Sequence, residues 1–272
     1  MRARVSCHTV HAYDPPARSV TQVLRLTPRN QDSQRVVNWR IDVDVDCILR
    51  ASEDAFGNIT HVFSAPGPLS QMIVSVDGEV ETFDVAGVAR GAIERFPPEL
   101  YLRPTPLTQA GDALRAFAAG VAASDPTPLG RLHALMDAVG ERMTLVGEPS
   151  GQTAEEVFAR GRGACDDFAH VFIASARAMD IPARCVSGLF VGIEDVSEPN
   201  ALHAWVEAHV DGLGWVGFDA VHCICPREAH LCLARGLDYL GAAPIRGANS
   251  GGGEPILKVE LRASRAEGYS RY

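Results

Sequence analysis

Cys165 follows the run Gly161-Arg162-Gly163-Ala164 and opens a segment in which Phe168, Val171, Phe172, Ser175 and Met179 recur at intervals of three and four. That spacing predicts a helix with one buried face, and Ala169, Ala174, Ala176 and Ala178 favour it. Cys165 then stands in the first turn, where unpaired N–H groups and the positive end of the helix dipole favour a thiolate over a thiol. A cysteine placed so is suited to nucleophilic attack on a carbonyl. Taken alone it reads better as a small buried residue at a helix start.

Downstream residues decide between the two readings. Ile181 to Val191 reads as a strand entered through Pro182, and a polar loop from Glu194 to Asn200 follows. Leu202 to Val210 alternates as a strand does, Asp211-Gly212-Leu213-Gly214 makes a turn, and Trp215 to Asp219 returns. In such a hairpin the start of one strand lies near the end of the next. His203 and Asp219 are thereby brought together, beside a thiol-bearing helix. A cysteine nucleophile needs a base, and the base an orienting acceptor; Cys165, His203 and Asp219 supply the three in chain order.

The segments that carry this chemistry are similar to those of bacterial transglutaminase-like proteins, which share the papain-like core. They are Gly-Arg-Gly-Ala-Cys-Asp-Asp-Phe-Ala-His (161–170), Ile-Pro-Ala-Arg-Cys-Val-Ser-Gly (181–188), His-Ala-Trp-Val-Glu (203–207) and Gly-Trp-Val-Gly-Phe-Asp (214–219). Leu24 to Arg29, Phe56-Gly57-Asn58 and Gly236 to Tyr239 extend the resemblance over most of the chain. It implies catalytic roles for Cys165, His203 and Asp219. It also implies an α+β fold: an N-terminal antiparallel β-sandwich and a papain-like core whose cysteine-bearing helix packs on an antiparallel sheet. Ala220 departs from the proline that many relatives carry there, which concerns strand exit rather than chemistry. Many relatives are described as cysteine proteases, and they are often encoded near ATP-grasp ligases, which would imply a small peptide substrate.

The rest of the chain must position these groups. Residues 1–85 read as strands with turns at Asp14-Pro15-Pro16, Asp54 to Asn58 and Asp77-Gly78, and Val37, Trp39, Ile41, Val43 and Val45 are expected on one face. Residues 86–106, with Pro97, Pro98, Pro104 and Pro106, read as a linker. Residues 107–272 form the core with a C-terminal extension. Leu107 to Val121 and Leu129 to Arg142 have helical spacing, and Met143 to Val146 is a short extended piece. Thr153 with Glu156 makes a capping box. Ala242 to Glu254 reads as a long flexible loop, Ile256 to Leu261 as a last strand, and the tail from Ala263 as frayed.

Composition bounds the function. With 272 residues, 46% of them hydrophobic, the chain can bury a sizeable core. A net charge of −9 argues against nucleic-acid or acidic-membrane partners. No signal-peptide core or membrane-length apolar run is visible, and the seven cysteines are irregularly spaced, so a cytoplasmic chain with free thiols is expected. No cofactor is expected. His222, Cys223, Cys225, His230 and Cys232 raise the question of zinc, but Cys-x-Cys is a poor chelate, and no metal is expected. His8, His11 and His61 read as packing or surface residues, and Cys185 as inert. Asp166 and Asp167 read as structural, and His170 as a base inferior to His203. Trp205 and Trp215 either wall the cleft or fill the core. Gln152 is a secondary oxyanion-hole candidate behind the backbone N–H of Cys165. The expected activity is acyl transfer through a thioester on a peptide or carboxamide, as a peptidase or amidase. Transfer to an amine and a non-catalytic scaffold remain as alternatives.

Overall fold

The computed structural model describes residues 1–147, 151–191 and 201–265; the loop expected at 194–200 lies outside them. The chain opens with β1 (Arg2–Thr27), β2 (Gln34–Val43), β3 (Arg50–Glu53), β4 (Ile59–Thr82) and the short β5 (Val88–Ala89). Helices α1 (Asp112–Ala122) and α2 (Pro128–Arg142), strand β6 (Thr144–Leu145), helix α3 (Ala154–Arg160) and strand β7 (Arg162–Gly163) lead to helix α4 (Cys165–Ala178). Then come β8 (Ala183–Phe190), β9 (Ala201–Val210), β10 (Gly214–Phe218), β11 (His230–Gly236), α5 (Tyr239–Ala242), β12 (Ile245–Ser250) and β13 (Ile256–Arg265).

The N-terminal sheet is antiparallel and built on the long β1–β4 pair. Near the start of β1 the pair is flanked by β13 on β1 and β2 on β4; towards the end of β1 it is flanked by β12 on β1 and β3 on β4. Register shifts between Ala12 and Ser19 separate the two halves, whose inner faces share one apolar cluster from Val5 and Cys7 to Leu24 and Phe63. The expected turn at Asp14-Pro15-Pro16 is therefore an irregularity within one strand. The turn expected at Asp77-Gly78 does not exist either. Gly78 lies inside β4 because Trp39 covers it: a Cβ there would meet the indole at 2.2 Å. Val37 leaves the face it was expected to share, since a bulge between Val36 and Asn38 turns it to solvent.

The core sheet has the order β11-β8-β9-β10-β5. α4 lies on one face, with Ala169, Phe172 and Ala176 against Val206, Ala208 and Phe218. Phe172 and Phe218, both fully buried, stack at 5.5 Å, and burying each such ring stabilises the fold by about 1.5–3 kcal/mol. The opposite face carries Leu189, Leu231 and Leu233 into the N-terminal cluster. The contact is pinned by two amide side chains. Gln34 exchanges two hydrogen bonds with the backbone of Cys232, both 2.8 Å, and Asn58 two with that of Arg235, at 2.7 and 2.8 Å.

Two expected boundaries shift. Residues 86–106, expected as a linker, dock on the core: β5 pairs with β10, and Arg177 of α4 donates to Tyr101 O at 2.7 Å and to Thr108 Oγ1 at 2.6 Å. Residues 245–265, expected within the core's extension, return to β1 as β12 and β13. Within the long loop expected at 242–254, residues 245–250 are thus a paired strand.

Candidate active site

The entry to α4 is made by local sequence. Gly161 ends α3 at φ +70°, and a Cβ on Gly163 would meet Asp167 Cβ at 2.5 Å. The N-cap of α4 is Ala164, which has no capping side chain; Asp167 instead folds back to accept the Ala164 N–H at 3.0 Å. The first-turn N–H groups are thereby left for other acceptors, and the Cys165 sulfur accepts from Asp166 and, across the sheet, from Ala204 of β9. The thiol thus lies against the strand backbone next to His203.

His203 meets Asp219 as the hairpin requires. Val206 pairs with Phe218, and His203 Nε2–H donates to Asp219 Oδ2 at 2.7 Å, both residues being buried. Asp219 stands just past β10, held by an isolated bridge to Ile224. Its Oδ1 accepts the N–H groups of Val221 and His222 at 3.0 and 3.3 Å. Oδ2 faces three imidazoles: His203, His222 Nδ1 at 2.6 Å and His230 Nε2 at 3.0 Å. Against burial, these donors hold the Asp219 carboxyl well below the usual carboxylate range. His230 keeps its proton on Nε2 because its Nδ1 accepts the Arg227 N–H at 3.2 Å. His222 is oriented by stacking on Phe190, 4.4 Å between centroids and 11° between planes.

The sequence named His222 and His230 only as companions of cysteines. Those cysteines go elsewhere. Cys223 is exposed and donates to Ala220 O at 3.8 Å, Cys225 lies against Gly87, and Cys232 is buried with Trp205 and Val186. The legible signal for His222 was its position three residues past the acid, within reach of its side chain. The four ligating atoms of His203, Asp219, His222 and His230 lie within 4.8 Å of one another.

One electrostatic expectation is corrected. Cys165 is partly exposed, yet burial of its sulfur, then the Asp166 charge, push the thiol up to about 12. The Ala204 and Asp166 N–H groups pull the other way without prevailing, and Asp219 adds to the rise. So raised, Cys165 rests as a thiol, not as the thiolate expected from the helix dipole. Burial and then Asp167 raise Asp166 itself to about 6.

The other expected residues divide. Trp205 is buried beside the site, 6.2 Å from His203 and 5.3 Å from His230 between ring centroids. Trp215 is not there: it meets Tyr101 at 4.9 Å and lies under the Arg184 guanidinium at 4.0 Å. Gln152 is half-buried just ahead of the Thr153 cap of α3, whose capping box forms as expected. His170 accepts the Tyr239 N–H at 3.0 Å, and burial lowers it to about 4, so it serves as a structural acceptor. No helix among the described residues is long and apolar enough to cross a membrane.

Known proteins match both parts. Residues 115–220 match the transglutaminase-like superfamily, and residues 3–81 match the bacterial transglutaminase-like N-terminal region. An uncharacterized protein of Mycobacterium leprae is 26% identical over 97% of this chain and 99% of its own. One of Mycobacterium tuberculosis is 28% identical over 90% of this chain and 87% of its own. A crystal structure of a candidate cysteine protease from Cytophaga hutchinsonii superposes with a TM-score of 0.80, covering 98% of this chain and 91% of its own at 19% identity. This chain joins a bacterial transglutaminase-like N-terminal region to a core of the transglutaminase-like superfamily.

Proposed function

We propose that the protein is a cysteine-dependent acyl-transfer enzyme acting on peptide or carboxamide bonds, and that water is its acceptor, making it a peptidase or amidase. The observation that carries this reading is the buried 2.7 Å hydrogen bond from His203 Nε2–H to Asp219 Oδ2, next to a helix-start thiol lodged against Ala204. A neutral ring that gives Nε2–H to Asp219 keeps its lone pair on Nδ1. Nδ1 takes the Cys165 proton as sulfur bonds to the carbonyl carbon, and the carbonyl oxygen takes up the negative charge. The Cys165 N–H is the first donor to that oxygen, with Gln152 as a second candidate. Collapse breaks the C–N bond, the imidazolium returns its proton to the leaving amine, and a thioester remains. Water, deprotonated by Nδ1, then releases the acid and restores the thiol. Because the thiol is pushed up by burial, proton transfer accompanies attack instead of preceding it. The likeness to the Cytophaga protein supports the fold of this reading.

The test is acid quench of a reaction with a mixed peptide-amide substrate pool, followed by digestion and mass spectrometry. Cys165 should carry an acyl group that hydroxylamine removes. Product formed in H2-18O should contain the label. Turnover by Cys165→Ala would sink the reading, and label-free product accompanied by a new amide on an added amine would move it to amine transfer.

A further inference from the structure

We propose that His203 Nε2, His222 Nδ1 and Asp219 Oδ2 form a site for one divalent transition-metal ion, typified by zinc, and that its occupancy silences the proposed reaction. The silencing rests on the proposed function; the site does not. Three imidazole nitrogens converge on a single carboxylate oxygen, at 2.7, 2.6 and 3.0 Å, more donors than the two lone pairs of that oxygen accommodate. The companion oxygen is occupied by two backbone N–H groups, so the carboxylate cannot turn to share the load. Imidazole and carboxylate together suit zinc and its neighbours rather than calcium or magnesium.

The geometry is within reach. Zinc holds nitrogen and oxygen at about 2.0–2.2 Å, so tetrahedral ligands stand roughly 3.3 Å apart. His203 Nε2 and His222 Nδ1 therefore retreat from Oδ2 by only about 0.6 Å. His230 is not a third imidazole ligand. The Arg227 N–H at its Nδ1 fixes the proton on Nε2, so it stays a donor to Asp219 and supports a ligating carboxylate as outer hydrogen bonds do. The His222 side chain is 12% exposed, which gives an ion a way in, and its stacking on Phe190 holds the ring ready. Water completes the coordination.

The consequence follows from tautomer chemistry. A metal on His203 Nε2 leaves the neutral ring's one proton on Nδ1. The nitrogen that must take the thiol proton is then already protonated. No proton leaves the ring, and the base is lost by a shift within it.

The experiment uses the full chain stripped of metal with a chelator. Calorimetry with Zn2+ should give one equivalent bound. Co2+ should give visible d–d bands with no near-ultraviolet thiolate charge-transfer band, because the ligands are nitrogen and oxygen. Cys165→Ala should bind as wild type does. His230→Gln should bind roughly ten- to a hundredfold more weakly, as loss of an outer hydrogen bond does, and His222→Asn more weakly still. Turnover should fall as zinc occupancy rises and return with chelator. Lack of binding at submillimolar zinc overturns the proposal. So does a thiolate band lost in Cys165→Ala, or undiminished turnover in the zinc-loaded enzyme. A metal-free protein without turnover would count against the proposed reaction, not against the site, which heat and spectrum read directly.

Discussion

Strand β9 carries two buried polar groups four residues apart, and they are built on opposite plans. Around Glu207 every charge is answered by a fixed charge. Arg184 donates to it at 2.7 Å and Arg235 at 2.8 and 2.9 Å, while Arg184 also reaches Glu94 at 2.7 and 2.9 Å. Against burial, Arg235 and then Arg184 hold Glu207 down to about 2. Around Asp219 there is a carboxylate, three imidazoles and a thiol nearby, with no permanent cation among the partners. The first arrangement has one protonation state across the physiological range and locks strands together. The second can pass protons, because every side chain that hydrogen-bonds the anion among the described residues is an imidazole, which can titrate or ligate. Burial alone does not mark a site; the kind of partner given to the buried charge does.

The comparison breaks most sharply at the proposed nucleophile. Cys165→Ala should cost at least about four powers of ten in kcat/KM while unfolding free energy changes by no more than about 1–2 kcal/mol. Denaturant melts beside single-turnover assays check both. A large stability loss with modest rate loss would return Cys165 to the role of a packing residue.

Glu207→Gln should do the reverse. It leaves two buried guanidiniums sharing one neutral amide, and breaking such a group costs about 3–5 kcal/mol. The folded fraction should turn over within roughly threefold of wild type, since Glu207 contacts no reacting atom. A rate collapse at unchanged stability would erase the distinction between the two clusters.

Asp219→Asn should fall between them. With Oδ2 facing three N–H donors and Oδ1 facing two, either amide orientation sets an NH2 against donors. The imidazole loses its fixed tautomer, and a loss of about ten- to a thousandfold is expected, less than in serine enzymes because sulfur is the better nucleophile. Asp219 is anionic throughout the working range, so it holds protons on the Cys165–His203 pair at both limbs of the pH–rate profile. Its removal should move both limbs to lower pH; a profile with either limb fixed would show that Asp219 acts through structure alone.

How much of this was legible follows from where the information lay. The order of Cys165, His203 and Asp219, the α4 periodicity and the Thr153–Glu156 box are local patterns; in the structure Cys165 opens α4, His203 lies 2.7 Å from Asp219 and the capping box forms. Burial of the sulfur was not legible, because it depends on β9 passing over the helix start; a dipole argument from one helix gave the wrong sign for the thiol. The return of β12 and β13 was hidden for a similar reason. Gly247, followed by Gly251, Gly252 and Gly253, reads as part of a loop until β1, more than two hundred residues earlier, supplies the partner for 245–250. His222 and His230 were visible residues placed in the wrong company, as cysteine spacing was weighed and distance to the acid was not.

The smallest expected effect tests the last neighbour of the thiol. Asp166 is buried in the first turn of α4, and burial, then Asp167, raise its carboxyl to about 6. Well below that pH it is neutral and does not act on the thiol; above it, it is an anion that raises the thiol. Asp166→Asn removes that charge at every pH. The alkaline limb, where wild-type Asp166 is fully ionised, should therefore move to lower pH. A limb below pH 6 should hardly move, and the rate at neutral pH should change by no more than about threefold. Stability carries the same sign. A carboxyl whose folded value lies above its unfolded value of about 3.9 contributes stability that is complete below the unfolded value and is lost as pH rises through the folded one. The wild type thus loses an amount on the order of 2–3 kcal/mol between about pH 4 and pH 7 that the asparagine variant keeps. Thermal melts of both proteins across that interval should show the variant gaining on the wild type as pH rises. A constant difference would mean that Asp166 is ionised throughout, and that the Asp219 group is not the only unanswered anion beside Cys165.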